Sequence, residues 1–475
     1  MNSPSKSKAV LETFRRIDAF AARRQFIINR PESFLHNQNL EVWLDSDMTI
    51  RFTFDHREPR SPREVQHEFA DLVERGVLQA GSLLHTTRKN GFQKIETKIV
   101  SQSYSGELNS LAEGTPDNYQ EHFLRYIQPI NTDLNVGLIS TATDLMTDQE
   151  IRYAVGIVDL KTSGFPMQLF RISHHDQQYL VLDCQQRADL QQFENCANAV
   201  LTIYAFIWGN LWGKGAFILS SHDASFNSIN AIQFHSKPDH ASHRWIVFDP
   251  WEIRHYQFHS DFFQFPVTAF EGLCNRVISE DKFRNALKII YEANTSPFSL
   301  STCILFCTAL EILANLVPSD VTQAPIDAKR YKNSNIETIL ANAILQNDQL
   351  TAGEQEFLIQ KKLPYLNKPT NIDKLQRAFE QLNITNLPDK FKKAIRYRDK
   401  YLHGSAPKPY LSSTEADTKF KAFELQFLAN ILVLKLAGYR GFLKNYSAEM
   451  ELHFKRNLGM RDEGIDIDHS LYYTI

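Results

Sequence analysis

The chain has too few cysteines, in the wrong arrangement, for a disulfide-stabilised domain or a zinc ribbon. It contains five cysteines in 475 residues, and no two of them form a CxxC pair. Both classes need paired cysteines at short, fixed spacings, so neither is expected. Cys303 and Cys307 stand four residues apart in an apolar stretch, and we expect them to be buried, reduced thiols.

Long apolar runs are also missing. The longest, Cys303–Val317, is too short to span a membrane and is interrupted by Glu311 and Asn315. The N-terminal segment MNSPSKSKAVLETFRR lacks the apolar core of a secretory signal. We therefore expect a cytoplasmic protein that makes no contact with membranes.

An excess of positive charge is absent, and so are the common hydrolase signatures. A formal net charge of -3 and a pI near 6.6 argue against a dedicated nucleic-acid scaffold, although an RNA-cutting enzyme needs only a local basic patch. The chain has no nucleophile elbow, no HExxH sequence and no paired-carboxylate pattern, so a hydrolase centred on the N-terminal half is not expected. An apolar content of 43% predicts a globular protein, and the length predicts two domains.

The N-terminal half has the alternation of apolar and polar residues that is typical of β-strands. Helices are expected at Lys8–Asn29 and at Leu190–Trp208, where apolar residues recur at helical spacing. The predicted strands are Met48–Asp55, Phe92–Val100, Val136–Thr141, Arg152–Asp159, Gln168–Ser173, Gln178–Asp183, Ala231–His235 and Arg244–Pro250. Residues 1–262 are therefore predicted to form a β-rich domain, either a sandwich or a curved sheet with packed helices.

Strand signals vanish after Pro250, and the rest of the chain has the spacing of helices. Leu300–Val317 is apolar almost all round and is predicted to be a central buried helix. The other predicted helices are Thr268–Ala293 in two pieces, Ile336–Leu345, Gly353–Lys362, Ile372–Leu382, Asp389–His403 and Glu415–Leu443. The predicted fold class is α+β, with an all-α bundle at residues 263–445 and a C-terminal tail at 446–475.

The segment Ile395–Gly404, IRYRDKYLHG, holds the most informative spacing in the chain. Arg398 and Asp399 are followed after three residues by His403 at the end of a predicted helix, and then by a glycine. The spacing alone is weak, because about one such arginine–histidine match is expected by chance, and the chain has further matches, including Arg254–His259. Only the first match lies at the end of a helix in the all-α half.

This motif and its setting resemble the HEPN domain, in which an arginine, a polar residue and a histidine have this spacing. The segment Cys307–Asn315, CTALEILAN, resembles the second core helix of many HEPN domains. The helix order, with a β-rich half before it, resembles the Apea-like HEPN proteins of bacterial anti-phage defence. The specific resemblance covers Phe263–Asn445, and for the N-terminal half it is one of layout.

The resemblance implies a metal-independent endoribonuclease that acts as a toxin or abortive-infection effector. It implies no metal and no cofactor, RNA such as tRNA or mRNA as the substrate, and a homodimer whose site forms where two bundles meet. The N-terminal domain would then restrain the enzyme or sense infection, for example through a phage-derived trigger.

RNA cleavage requires the residue types that the motif supplies. His403 titrates near neutrality and is expected to act as acid and base, whereas Arg398 matches phosphate oxygens and stabilises their charge. Asp399 shares a helix face with His403 and completes the predicted catalytic set. Attack by the RNA 2′-hydroxyl leaves a 2′,3′-cyclic phosphate and a 5′-hydroxyl, so DNA should resist.

Arg398 falls on an apolar helix stripe, and a buried arginine requires a partner. The stripe consists of Phe391, Ala394, Ile395 and Leu402. Glu311 is the only charge in the predicted central helix, so the two isolated charges are expected to meet. The pair either only fixes helix register, or also orients Arg398 towards phosphate.

Among the cations that precede His403 on the same predicted helix, the candidate RNA contacts are Lys392, Lys393, Arg396 and Lys400. They form either a solvated helix face or a track for the RNA backbone. The two interpretations remain open at this stage.

The second hypothesis is a non-catalytic HEPN dimerisation or binding module with a ligand-sensing β domain. The intact Arg398, Asp399 and His403 count against it, because an inactive copy has no chemical reason to keep all three. In the N-terminal half, His240 and His243 could bind a metal with Asp239 or Asp249, but their spacing fits no strong zinc pattern. Solvated histidines are expected there, and no metal site is predicted.

Overall fold

The computed structural model divides the chain into two compact units, Met1–Ser279 and Glu280–Ile475, and each is treated by itself. The residues that it describes are 6–28, 31–55, 61, 63–64, 67–69, 84–85, 92–98, 103–108, 110–114, 122–130, 142–147, 152–175, 177–209, 215–236, 245–248, 264–296, 299–318, 326–368, 370–384, 387, 389–402, 414–457 and 472–474. The fold class is mixed α+β, with antiparallel sheets first and helices later, as predicted.

Two antiparallel sheets form the first unit. The strands are β1 (Arg24–Ile27), β2 (Asn39–Leu44), β3 (Ile50–Asp55), β4 (Leu84–His85), β5 (Phe92–Lys98), β6 (Ser103–Leu108), β7 (Ser110–Glu113), β8 (Phe123–Ile130), β9 (Ala142–Thr147), β10 (Arg152–Thr162), β11 (Phe165–His174), β12 (Gln177–Cys184), β13 (Gly215–Ser221) and β14 (Ala231–Ser236). One sheet has the order β1-β2-β3-β6-β5, and the other has the order β4-β7-β14-β13-β8-β12-β11-β10-β9.

The helix α1 (Lys6–Ala21) completes the core of the first unit. Its apolar residues Val10, Phe14 and Ile17 recur at helical spacing, and they are buried in one cluster with Phe52 of the smaller sheet and Phe217 of the larger one. The strands β8, β12 and β13 are buried along most of their length, because α2 (Leu190–Trp208) lies against β8 as well.

The helix α3 (Val267–Ser279) lies at the end of the first compact unit, which runs to Ser279. It packs against α2 and β10. Its side chains also accept hydrogen bonds from the β10–β11 turn, where the amide of Lys161 donates to Glu271 at 2.5 Å and that of Ser163 donates to Asn275 at 2.6 Å.

The second unit is built on helices around a buried centre. Its helices are α4 (Asp281–Thr295), α5 (Leu300–Ala314), α6 (Ala328–Asn333), α7 (Ile336–Leu345), α8 (Ala352–Phe357) with a π-helical continuation (Leu358–Lys362), α9 (Asn371–Gln381), α10 (Asp389–Leu402), α11 (Thr414–Leu436) and α12 (Tyr446–Asn457). The prediction of a central helix is confirmed, since α5 packs against α4, α9, α10 and α11. From Ala422 to Leu434, α11 is buried without a break.

The described residues after α11 form two short strands and a helix. The helix α11 ends at Leu436, earlier than the predicted Leu443, because Gly438 takes a positive φ of 72° and turns the chain. The helix α12 packs against α11, and β15 (Phe442–Lys444) pairs with β16 (Tyr472–Thr474).

Most strand predictions are confirmed, and two predicted elements are wrong in part. The described part of Arg244–Pro250, residues 245–248, is not a strand; its amides at Val247 and Phe248 donate to the carbonyl of Ile207 at the end of α2. The N-terminal helix ends at Ala21, and β1 follows where a helix was expected. The predicted strand Val136–Thr141 lies outside the described residues.

Candidate functional site

The candidate site centres on the last turns of α10. One face of this helix is anchored in the core through Phe391, Ala394, Ile395 and Tyr401, each at most 1% exposed. The ring of Phe391 stacks on Phe427 of α11 with centroids 4.7 Å apart. The predicted apolar stripe is therefore the buried face of α10, as far as its side chains are described.

For two of the three predicted catalytic residues, Arg398 and Asp399, the structure describes only the backbone position, which is on α10. At about 100° per residue, the backbone position of Arg398 falls between those of Phe391 and Ala394 on the anchored face. The side chains of Arg398 and Asp399, and all of His403, lie outside the described part of the chain. That Arg398, Asp399 and His403 come together in one site stays a prediction.

The predicted partner Glu311 lies on α5, which packs against α10. It is half-buried. Burial raises the pKa of Tyr401 far above its ordinary range, and Cys303, Glu424 and Cys307 raise it further. The last turn of α10 therefore lies close to the middle of α5, one helical turn from Glu311. Whether Glu311 meets Arg398 stays a prediction.

The four predicted RNA-binding cations form an exposed stripe along α10. Lys392, Lys393, Arg396 and Lys400 are all exposed, and at about 100° per residue their positions fall within an arc of about 100°. Lys392 lies 3.4 Å from Asp389, and Lys400 lies over the ring of Tyr397 at 4.6 Å. We call this set the cation stripe.

A buried carboxyl on α11 lies near the same place and was not predicted from the sequence. Glu424 is 5% exposed and accepts a hydrogen bond from Lys421 at 2.6 Å. Burial raises the pKa of Glu424, and the attraction of Lys421 offsets only part of that rise. Glu424 is an isolated glutamate within the apolar run of α11. The same criterion singled out Glu311 from the sequence, so it could also have identified Glu424.

The five cysteines take no part in a candidate site. All are buried and free, as expected for Cys303 and Cys307. Burial raises the pKa of Cys303 to about 12 and that of Cys196 to about 11, so these thiols stay protonated near neutrality and are poor nucleophiles.

One group in the first unit has the donor atoms of a metal site. It comprises Asp18 on α1 and His174 with His175 at the β11–β12 turn, and its candidate ligand atoms all lie within 4.8 Å of one another. The histidines considered from the sequence, His240 and His243, lie outside the described residues, as do Asp239, Asp249 and the further motif match at Arg254–His259.

Comparison of the chain with protein-family models, with curated proteins and with solved structures finds no match. Among the described helices, none is both long and apolar enough to cross a lipid bilayer.

Proposed function

We propose that the second unit, Glu280–Ile475, is a metal-independent endoribonuclease that acts as an anti-phage effector in the cytoplasm. The observation that carries the proposal is the two-sided character of α10. One face is fixed in the core, and the opposite face presents the cation stripe to solvent. The helix leads directly into the histidine of the Arg398–His403 motif.

In the proposed reaction, the RNA 2′-oxygen attacks the adjacent phosphorus and the bond from phosphorus to the 5′-oxygen breaks. His403 takes the proton from the 2′-hydroxyl or supplies one to the leaving 5′-oxygen. Arg398 stabilises the charge on the phosphorane oxygens, and Asp399 orients His403 from the same helix face. If two bundles share the site, the acid and the base come from two copies of His403.

The cation stripe supplies the affinity for RNA in this proposal. Cations spaced along an exposed helix face neutralise successive phosphates and release counterions, which is a sequence-independent source of binding. Lys393 and Arg396 are three residues apart, so they lie on neighbouring turns of one face. Single-stranded regions of tRNA or mRNA are the proposed substrate class, because the 2′-hydroxyl must reach an in-line position.

The first unit is proposed to control the enzyme, by restraint or by binding a phage-derived trigger. This division of labour is supported by the layout, in which a sheet unit with its own core precedes the helical unit.

The proposal is tested by incubating the full chain with total RNA in EDTA, beside His403→Ala and Arg398→Ala. We expect the histidine variant to lose about 10²–10⁴ in rate and the arginine variant about 10²–10³. The matched control is His453→Ala, which removes an exposed histidine on α12 and should cleave like the wild type. Measurable cleavage that is equally fast in His403→Ala and in the wild type would refute the proposal.

The alternative is a non-catalytic dimerisation module, and one feature of the second unit bears on dimerisation. The side chains of Ile339, Leu345, Phe357, Tyr365 and Leu366 are each more than half exposed, and α7 has no buried residue. We call this set the apolar surface. Large apolar side chains grouped on a surface commonly mark a protein interface. A second copy of the chain is the partner that fits a homodimer, and this contact is compatible with either function.

A further inference from the structure

We propose that Asp18, His174 and His175 form a binding site for a divalent transition-metal ion, with Zn²⁺ as the ion whose geometry fits best. The site lies in the first unit and goes beyond the ribonuclease proposal, which needs no metal. The metal site assigns a specific ligand to the first unit, which is otherwise proposed only to control the ribonuclease.

The turn between β11 and β12 brings two consecutive histidines together. His174 ends β11 and pairs with Gln177 at the start of β12, so His175 opens a two-residue turn. Consecutive residues of a strand point to opposite faces. His175 instead has a positive φ of 46°, and its ring lies 4.0 Å from that of His174 between centroids.

A positive φ is uncommon for residues other than glycine and carries a conformational cost. Such conformations persist where the surrounding structure requires them, and functional sites are enriched in them. At His175 the result is that two imidazoles face one carboxylate. A tight turn alone does not require histidine at this position, since asparagine or glycine would adopt the same backbone more readily.

The third donor is Asp18 on the facing turn of α1. Its Oδ2 lies 3.1 Å from Nε2 of His174 and 3.8 Å from Nε2 of His175. Ligand atoms about 2.1 Å from a tetrahedral Zn²⁺ are about 3.4 Å apart. The two observed distances from Asp18 lie on either side of that value, and the three candidate ligand atoms all lie within 4.8 Å of one another.

The three side chains divide into one fixed ligand and two accessible ones. His174 is buried, and its ring stacks on Phe14 with centroids 4.5 Å apart. The side chains of Asp18 and His175 are 51% and 70% exposed, which leaves a path for the ion and room for water in the remaining coordination position. A fixed ligand lowers the cost of ordering the site.

The neighbouring phenol is not a fourth ligand. Burial, with the negative charge of Asp18, raises the pKa of Tyr179 to about 12, so the phenol stays protonated at neutral pH. Two imidazoles and one carboxylate remain, a donor set that suits zinc and its transition-metal neighbours, whereas Mg²⁺ and Ca²⁺ prefer all-oxygen sites.

The experiment is a Zn²⁺ titration of the full-length protein after removal of metal with EDTA and dialysis, with a chromophoric chelator as competitor. We expect one equivalent of Zn²⁺ to bind. Loss of an outer-shell partner of a metal ligand costs about 10–100-fold in affinity, so loss of a ligand itself is expected to cost at least about 100-fold. Mg²⁺ in the same assay should not compete.

The variants are His175→Asn and Asp18→Asn, with His453→Asn as the matched control. Asparagine tolerates the left-handed backbone at position 175, and both site residues are exposed, so the melting temperature without metal should change little. Loss of Zn²⁺ binding in both site variants but not in the control supports the site. Binding unchanged in His175→Asn, or no stoichiometric binding by the wild type, overturns it and leaves the His174–Asp18 contact as a structural hydrogen bond.

Discussion

The buried ion pair between Arg125 and Asp183 joins two central strands of the larger sheet. The two residues stand directly opposite each other on β8 and β12, and the guanidinium donates to both carboxylate oxygens at 2.6 and 2.8 Å. It also donates to Thr13 of α1 at 2.6 Å and lies 4.1 Å from the ring centre of Phe226. The ion pair therefore links the larger sheet to α1 through charge-assisted hydrogen bonds.

Arg125→Ala is expected to lower the free energy of unfolding by about 3–5 kcal/mol, because it leaves the Asp183 carboxylate buried without its counter-charge. Urea unfolding followed by circular dichroism measures the change. The matched control is Arg15→Ala, whose side chain is 72% exposed and only 4.0 Å from Glu12, and it should change stability by less than about 1 kcal/mol. A loss of unfolding free energy below about 1 kcal/mol in Arg125→Ala would show that apolar packing, and not this ion pair, holds α1 on the sheet.

Single residues were the least predictable part of the candidate sites. The sequence singled out Arg398 and Glu311 as candidates, because each is a lone charge on a predicted apolar helix face. It did not indicate the group of Asp18, His174 and His175, because the aspartate is 156 positions from the first histidine and no local spacing encodes their meeting. Only the tertiary contact of α1 with the β11–β12 turn reveals it.

The cation stripe of α10 gives a prediction about RNA binding that is independent of cleavage. Replacing Lys392, Lys393, Arg396 and Lys400 by alanine should weaken binding to single-stranded RNA and flatten its salt dependence. Each lost phosphate contact lowers the slope of log K against log salt by about 0.7. Fluorescence anisotropy measures the RNA affinity and its salt dependence. The measurement uses the His403→Ala background, which prevents cleavage.

A set of three exposed cations on α6, one fewer than in the stripe, provides the control, and the losses are compared per charge removed. Lys329, Arg330 and Lys332 are also exposed, and their replacement by alanine should leave RNA affinity within about twofold if the stripe is the binding face. Equal losses from the two sets would mean that RNA responds to net charge only, and that α10 has no special role.

Helices were more predictable than strands, for a physical reason. The helix α10 can be recognised from its own sequence, because apolar residues fall on one face and cations on the other. This pattern depends on no other part of the chain. The strands β6 and β7, with the sequences SYSGEL and SLAE, are short and lack a strict alternation of apolar and polar residues, so their pairing depends on neighbours far away in the chain. The unbroken burial of α11 from Ala422 to Leu434 also exceeded what its sequence indicated, because Glu424, Gln426 and Asn430 lie within this stretch.

The apolar surface of the second unit leads to a prediction about assembly. We expect the protein to dimerise through it, since Ile339 is 61% exposed and Phe357 52%. A double change, Ile339→Glu with Phe357→Glu, should raise the dimer dissociation constant at least about tenfold, because apolar anchors dominate such interfaces. Sedimentation velocity over a concentration series measures it.

The control for the assembly test is Ile27→Glu, which places the same charge on an exposed apolar residue of the first unit, 54% exposed. It should leave the dimer intact. A wild type that stays monomeric at all concentrations would exclude the dimer, and a dimer indifferent to the double change would place the contact elsewhere. Either result removes the support that this surface gives to a shared active site.

The two units thus have separate proposed roles, with a metal site in the first and RNA cleavage in the second, and the two can be tested apart. Cleavage in EDTA does not depend on Asp18, His174 or His175, and Zn²⁺ binding does not depend on His403. Failure of either proposal leaves the other standing.

The most direct test of the ribonuclease account is the chemistry of the cut ends. The full chain would be incubated in EDTA with an RNA and with DNA of the same sequence, and the fragments analysed by mass spectrometry. The account predicts RNA fragments with a 2′,3′-cyclic phosphate and a 5′-hydroxyl, and intact DNA. Fragments with a 5′-phosphate, cleavage of the DNA, or cleavage that EDTA abolishes would contradict it.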